Sequence, residues 1–294
     1  MFRIGINKLA LIRKFPVNPG IPLLIVLLCI VMAIFAPYIA PESPTKQSLP
    51  NQFQEPGYVD KDGTKHYLGT DKFGRDNLSR IIYGARISLV VAVLTIIIAA
   101  FIGTLLGLVA GYYGGWVDSL LMRITDVGLA LPLILVALVL AVVYGAELIA
   151  DLIPINVVLV IGLLLWPRFA RQIRGETLAI KEQDYIALAR VAGCSPMRIM
   201  IKHIFPNVIP TLLVLCTLNV GYVILLEASL SFLGVGVPPE TPTWGLMVSD
   251  GKGVIATYWW ISLFPGLAIM FLVLSLNFFG DWVRDKLDPK LRQV

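Results

Sequence analysis

Apolar runs of similar length follow one another along the chain, separated by short stretches where charge, glycine and proline collect. A bilayer core is crossed by about 20 consecutive apolar residues in a helix. About six runs approach that length: Pro22–Ile39, Ile87–Tyr112, Val127–Tyr144, Ile155–Phe169, Val208–Leu233 and Trp259–Val283. The fourth is the shortest. Inside lipid each backbone N–H and C=O must be paired within its own segment, so the runs are expected to be helices. The pattern predicts an all-α polytopic membrane protein with about six transmembrane helices.

Composition agrees. The 294 residues are 57% hydrophobic and 15% charged, with a mean hydropathy of +0.81. Soluble domains run nearer 45–50% and about 25%. Soluble-enzyme classes are thereby excluded.

The distribution of Lys and Arg sets the expected orientation. Arg3, Lys8, Arg13 and Lys14 lie before the first run, and Arg284, Lys286, Lys290 and Arg292 follow the last. Between the fourth and fifth runs stand Arg168, Arg171, Arg174, Lys181, Arg190, Arg198 and Lys202. Six spans put all three groups on one side, the cytoplasm. The expected order is a cytoplasmic N-terminus (1–20), a first span (21–40), an extracytoplasmic loop (41–85), a transmembrane domain (86–283) with a cytoplasmic loop at 171–207, and a cytoplasmic tail (284–294). The net charge of +5 then reflects topology, not nucleic-acid binding. One loop departs from the rule: Lys65, Lys72, Arg75, Arg80 and Arg86 fall on the expected outside.

The first run is read as an uncleaved span: it is long for a signal core, and Pro41 follows the plausible cleavage alanine. Cys29 and Cys216 lie in spans and Cys194 in the basic segment, which gives no disulfide framework or metal set.

One stretch is amphipathic instead of greasy: "DYIALARVAGCSPMRIMIKHIFPN", Asp184 to Asn207. Asp184 suits an N-cap ahead of strong helix formers, and Gly193 suits a left-handed helix end. Ser195 then caps a second helix, with Pro196 at its first position. Met197, Ile201 and Ile204 share helical spacing, and Phe205-Pro206 is expected to end the helix. Such a knuckle is either a surface helix in the headgroups or a docking element for a cytoplasmic partner.

The segment resembles the EAA loop of permease subunits of ATP-binding-cassette importers, whose pattern is E-A-A-x3-G-x9-I-x-L-P. Ala187, Leu188 and Ala189 take the first three places, Gly193 the glycine, His203 and Phe205 the I and L places, and Pro206 the proline. The glutamate and isoleucine are replaced, by Ala187 and His203. Four further stretches, "HYLGTDKFGRDNLSRIIYGARISL", "GYYGGWVDSLLMRITDVGLALP", "LEASLSFLGVGVPPETPTWGLM" and "FFGDWVRDKLDPKLR", are similar to the C-type permease of dipeptide, oligopeptide and nickel importers, a subfamily that commonly lacks the glutamate. The likeness runs from the first span to the C-terminus.

This resemblance implies a type I importer permease fold in a bacterial or archaeal inner membrane. It implies a related second permease, two ATPase subunits carrying ATP and Mg, and an extracytoplasmic substrate-binding protein meeting the outer loops. The chain itself is expected to bind no cofactor and to catalyse nothing. Its solute is expected to be a dipeptide or oligopeptide, with nickel the alternative. Asp184, Ala187, Ala189, Gly193, Ser195, Pro196, Phe205 and Pro206 would form the ATPase-coupling loop.

The residues support this division of labour. The chain lacks a G-x-x-x-x-G-K-[ST] phosphate loop and an H-E-x-x-H. His66 is expected to be an ordinary solvated side chain of the outer loop. Gly103, Gly107, Gly111 and Gly115 recur every four residues, as a helix-packing face would. Arg168, Arg171 and Arg174 are expected to anchor in headgroups, and Asp118, Arg123 and Asp126 to form an ion network on one helical side. Glu227 is an ionisable group within a span and therefore a candidate for the passage or for a pair with Arg86 or Arg123. A secondary transporter would need a matching half for Glu227, and none is visible.

Overall fold

The computed structural model describes residues 19–144, 154–238 and 240–287. The basic residues at 3–14, and Lys290 and Arg292, lie outside these ranges. The first span is α1, Gly20–Ile39. A loop with a short antiparallel hairpin, β1 (Tyr58–Val59) and β2 (Lys65–His66), leads to α2, Asn77–Tyr113. Then come α3 (Gly115–Ala130), α4 (Leu133–Tyr144) and α5 (Ile155–Lys181). The short helices α6 (Asp184–Val191) and α7 (Pro196–Ile199) precede α8 (Phe205–Phe232). Helix α9 (Trp244–Gly251) and the last long apolar helix, α10 (Trp260–Leu287), follow. Among the described residues five helical runs are long and apolar enough to cross a bilayer, or six spans if the α3–α4 pair is one.

That pair corrects the sequence reading of Val127–Tyr144 as a continuous span. The helix stops at Ala130 and restarts at Leu133, bent by 86°. Leu131 is extended (φ −77°, ψ 135°), the conformation imposed on a residue preceding proline, here Pro132.

The centre of the bundle is the α2–α5 seam. A Cβ on Gly103 would stand 2.4 Å from the Phe169 Cβ, on Gly107 2.7 Å from the Ala170 oxygen, and on Gly111 2.6 Å from the Thr177 Cβ. These glycines let the two backbones close to contact. Residue numbers rise together across the seam, so α2 and α5 run parallel, as they must if one span returns between them. Gly115 does not belong to it: α2 ends at Tyr113, and a Cβ there would meet nothing within 4 Å.

At one end of the bundle the two longest loops lock together. The Asp71 Oδ2 accepts from the Arg75 Nε at 2.6 Å and the Arg80 Nη1 at 2.7 Å. Asp250, from α9, accepts from the Arg75 Nη2 at 3.2 Å and pairs with Lys72 at 3.0 Å. This accounts for the loop that broke the charge rule: Arg75 and Arg80 are buried in the fold's own ion pairs. The Trp244 Nε1 donates to the Ile81 oxygen at 2.9 Å, tying α9 to the start of α2, and the Trp260 Nε1 to the Thr70 oxygen at 3.3 Å, tying α10 to the loop before it. His66 is likewise not solvated. It is 1% exposed, with its Nδ1 3.0 Å from Asp76, the carboxylate that also caps α2 by accepting from the Ser79 N–H.

Candidate functional site

The amphipathic stretch lies at the opposite end of the bundle, where Lys181 Nζ donates to the Gly111 oxygen at 3.4 Å. Helix α6 ends in paired bonds, Gly193 N–H to the Arg190 oxygen and Cys194 N–H to the Ala189 oxygen, both at 3.0 Å. Gly193 has φ +77°, so the expected left-handed stop is present with both of its hydrogen bonds. The Ser195 hydroxyl accepts from the Arg198 N–H at 3.4 Å, and Pro196 opens α7.

Two local expectations are corrected. The N-cap of α6 is Gln183; Asp184 lies in the first turn and makes no capping bond, though its charge suits the positive helix end. Nor does Phe205-Pro206 end the second helix. The chain passes through a π-turn, Met200–Ile204, directly into α8, with the Phe205 N–H donating to the Met200 oxygen. Pro206 has no N–H for the preceding turn, and the wider turn admits it.

That π-turn redistributes the apolar residues. Ile186, Ala189, Ile199 and Ile204 pack with Leu108, Ile173 and Val208 into a small second core. Met197 and Ile201, expected beside Ile204, instead point away and are 61% and 51% exposed; the extra residue of the π-turn rotates the register. Leu188 (68%) and Val191 (87%) join them on the outer side. Ala187 is exposed and Ala189 buried. The knuckle is thus held by one apolar face while presenting another. Burying such side chains fully is worth about 1.5–3 kcal/mol each. Arg190 stacks over Tyr112 at 5.8 Å, and the Asn207 Nδ2 donates to the Tyr185 hydroxyl at 3.3 Å, fixing the knuckle to α2 and α8.

Glu227 is buried between α2 and α8. Its Oε2 accepts from the Ser88 hydroxyl at 3.1 Å and its Oε1 from the Ser231 hydroxyl at 2.8 Å. The expected pairing with Arg86 or Arg123 does not occur among the described residues. The serines, invisible as partners in sequence, bind it instead.

The arginines of α5, expected to anchor in headgroups, have partners within the protein. Arg174 grips Asp118 with both Nε and Nη2, at 2.5 and 2.6 Å. Arg171 pairs with Asp126. Arg168 lies over the Tyr222 ring, 4.3 Å from its centre, and donates to its hydroxyl at 3.2 Å. The ion network expected of Asp118, Arg123 and Asp126 therefore forms between α3 and α5, with Arg123 outside it. The repeat of acids on α3 and arginines on α5 was the available signal.

Residues 103–293 match the family described as "Binding-protein-dependent transport system inner membrane component", and residues 21–56 match the "N-terminal TM domain of oligopeptide transport permease C". The chain is 40% identical to a dipeptide transport system permease protein of Alkalihalophilus pseudofirmus, covering 97% of this chain and 87% of the relative. It is 42% identical to a glutathione transport system permease protein of Escherichia coli, covering 92% and 85%. Its fold matches the inward-facing MetNI methionine ABC transporter with a TM-score of 0.56 at 19% identity, over 71% of this chain and 96% of that one.

Proposed function

The chain belongs to the family of binding-protein-dependent transport system inner membrane components, and from that premise we propose that it carries small peptides inward and couples to an ATPase through residues 184–207. It is an integral inner membrane protein and a permease subunit. The peptide cargo is supported by relatives named for dipeptides, di/tripeptides and glutathione.

The observation that carries the coupling assignment is the two-faced knuckle. Leu188, Val191, Met197 and Ile201 are exposed on an element whose other side is packed into the bundle. An ATPase groove taking that outer face would push on a rigid lever. The push passes through Ile199 and Ile204 into α8, and through Ile186 into Leu108 and Ile173 of α2 and α5. Two arrangements of one packed bundle, biased by an event at its edge, give alternating access. On this reading the knuckle end is cytoplasmic, as are both termini. ATP and Mg belong to two partner ATPases, a related permease supplies the other half of the passage, and the clamped outer loops face the binding protein.

Isolation of the tagged chain from native membranes in mild detergent, with partners identified by mass spectrometry, tests the reading. Recovery of a second permease and P-loop ATPases is expected. Recovery of the folded chain alone would refute it.

A further inference from the structure

Helix α5 has two exposed faces of opposite character. Near its start the exposed positions are Leu159 and Leu163; past its middle they are Arg168, Arg171, Gln172 and Gly175. At 3.6 residues per turn the two sets stand roughly 150° apart. The first suits lipid. The second does not, because of its depth.

The α2–α5 seam fixes that depth. Gly103 lies against Trp166, Phe169 and Ala170, three to four residues beyond the middle of the apolar stretch 87–112, or about 5 Å at 1.5 Å per residue. Arg168 therefore stands close to the midplane of a hydrocarbon core about 30 Å thick. An exposed guanidinium at that depth is among the costliest placements on a lipid face, and such residues turn to a bundle interior or an aqueous cavity. Its surroundings are polar: Tyr222 beneath it, and the Arg171–Asp126 pair, 56% and 62% exposed, one turn away.

Charge distinguishes Arg168 from its neighbours. Arg171 and Arg174 are each neutralised by an aspartate of α3. Arg168 pairs with no carboxylate of the described residues; its partner is the neutral phenol of Tyr222. The ring holds the cation by its face and leaves the remaining N–H donors of the fork unassigned. A planar fork of that kind matches a carboxylate.

We propose that Arg168, seated on Tyr222, lines the translocation passage at mid-membrane depth and engages a carboxylate of the passing solute. The proposal rests on the peptide-importer reading and deepens it. Each free peptide carries a C-terminal carboxylate, so one guanidinium serves solutes of varied side chains. The same charge repels a bare metal cation. A single charge contact holds the solute weakly enough to release it.

The test uses the purified complex in vesicles, with Cys29, Cys194 and Cys216 replaced and Gln172→Cys introduced, one turn from Arg168 on the same exposed face, which leaves the Tyr222 seat intact. The probes are an anionic sulfonatoethyl and a cationic trimethylammonium methanethiosulfonate. Both should modify the thiol. The anionic-to-cationic rate ratio should fall on the order of tenfold when Arg168→Gln is added, the scale of one unit charge about 5 Å away in water. Arg168→Lys should restore it. A ratio indifferent to Arg168→Gln would overturn the proposal. So would a thiol that reacts in the isolated chain but not in the complex, since Arg168 would then face another subunit. Recovery of the ATPases is scored separately: their absence refutes the importer reading, whereas a ratio that Arg168→Gln leaves unchanged refutes the carboxylate station alone.

Discussion

The Arg75 guanidinium reaches Asp250, 175 residues away in sequence, at 3.2 Å while its Nε binds Asp71 at 2.6 Å. Asp71 also holds Arg80, which is 1% exposed. Removing the Asp71 charge leaves two buried cations with only Asp250, at 3.2 and 3.5 Å, as carboxylate partner, and breaking a buried pair from one side costs about 3–5 kcal/mol. Asp71→Asn should therefore lower the thermal midpoint of the detergent-purified chain well below that of Asp250→Asn, whose carboxylate is the more exposed partner. Equal midpoints in a fluorescence melt would show that the clamp is not held through Asp71.

The glycine seam makes a contrast between two substitutions of the same kind. A Cβ on Gly107 would meet the Ala170 oxygen at 2.7 Å, whereas one on Gly175 would meet nothing within 4 Å. Gly107→Ala should cost about 1–3 kcal/mol through overpacking. Gly175→Ala should be neutral, or stabilising by up to about 1 kcal/mol from helix propensity. Size-exclusion profiles after graded heating read the difference.

At the knuckle, Gly193→Pro should abolish ATP-driven uptake while the chain still inserts in the membrane. Its φ of +77° is closed to proline, and the N–H bonded to Arg190 is lost. Normal uptake by this variant would remove the coupling assignment.

The outer face of the knuckle predicts a different defect. Val191→Asp or Met197→Asp places a charge on side chains that are 87% and 61% exposed, so the fold should tolerate both. Co-purification of the ATPase should drop at least about tenfold, the equivalent of 1.4 kcal/mol. Undiminished recovery would place the ATPase elsewhere.

Glu227 is held by two hydroxyls and no cation. A glutamine can accept from one serine and donate to the other, so Glu227→Gln should assemble and melt like the parent. Glu227→Ala should lose stability, because it leaves a cavity and two buried hydroxyls without their acceptor. A large defect in uptake for Glu227→Gln, with assembly intact, would instead assign the carboxylate's charge a role in transport.

Some of this could be read along the chain because its causes are local. A run of about 20 apolar residues has no stable place outside lipid or a core, so the spans at 22–39 and 87–112 stood out. Gly193, Ser195 and Pro196 act within a few residues of themselves, through backbone conformation and capping, and the structure has each in the role its type suggested. Pro132 carried a local signal too. An apolar count is blind to direction, so the 86° bend was hidden inside a run of uniform hydropathy.

The sequence by itself determined that the chain is built of long apolar helices and carries a turn-helix knuckle, since each follows from solvation and backbone sterics over short distances. Only the tertiary structure decided partners. It joined Asp250 to Arg75, gave Glu227 two serines, paired Arg171 and Arg174 with the aspartates of α3, and buried His66 against Asp76. It also turned Met197 and Ile201 outward through the π-turn at Met200–Ile204. Charges and hydroxyls are satisfied by whichever complementary group the packed helices bring within about 3 Å. That choice depends on how whole helices approach one another, which no local window contains.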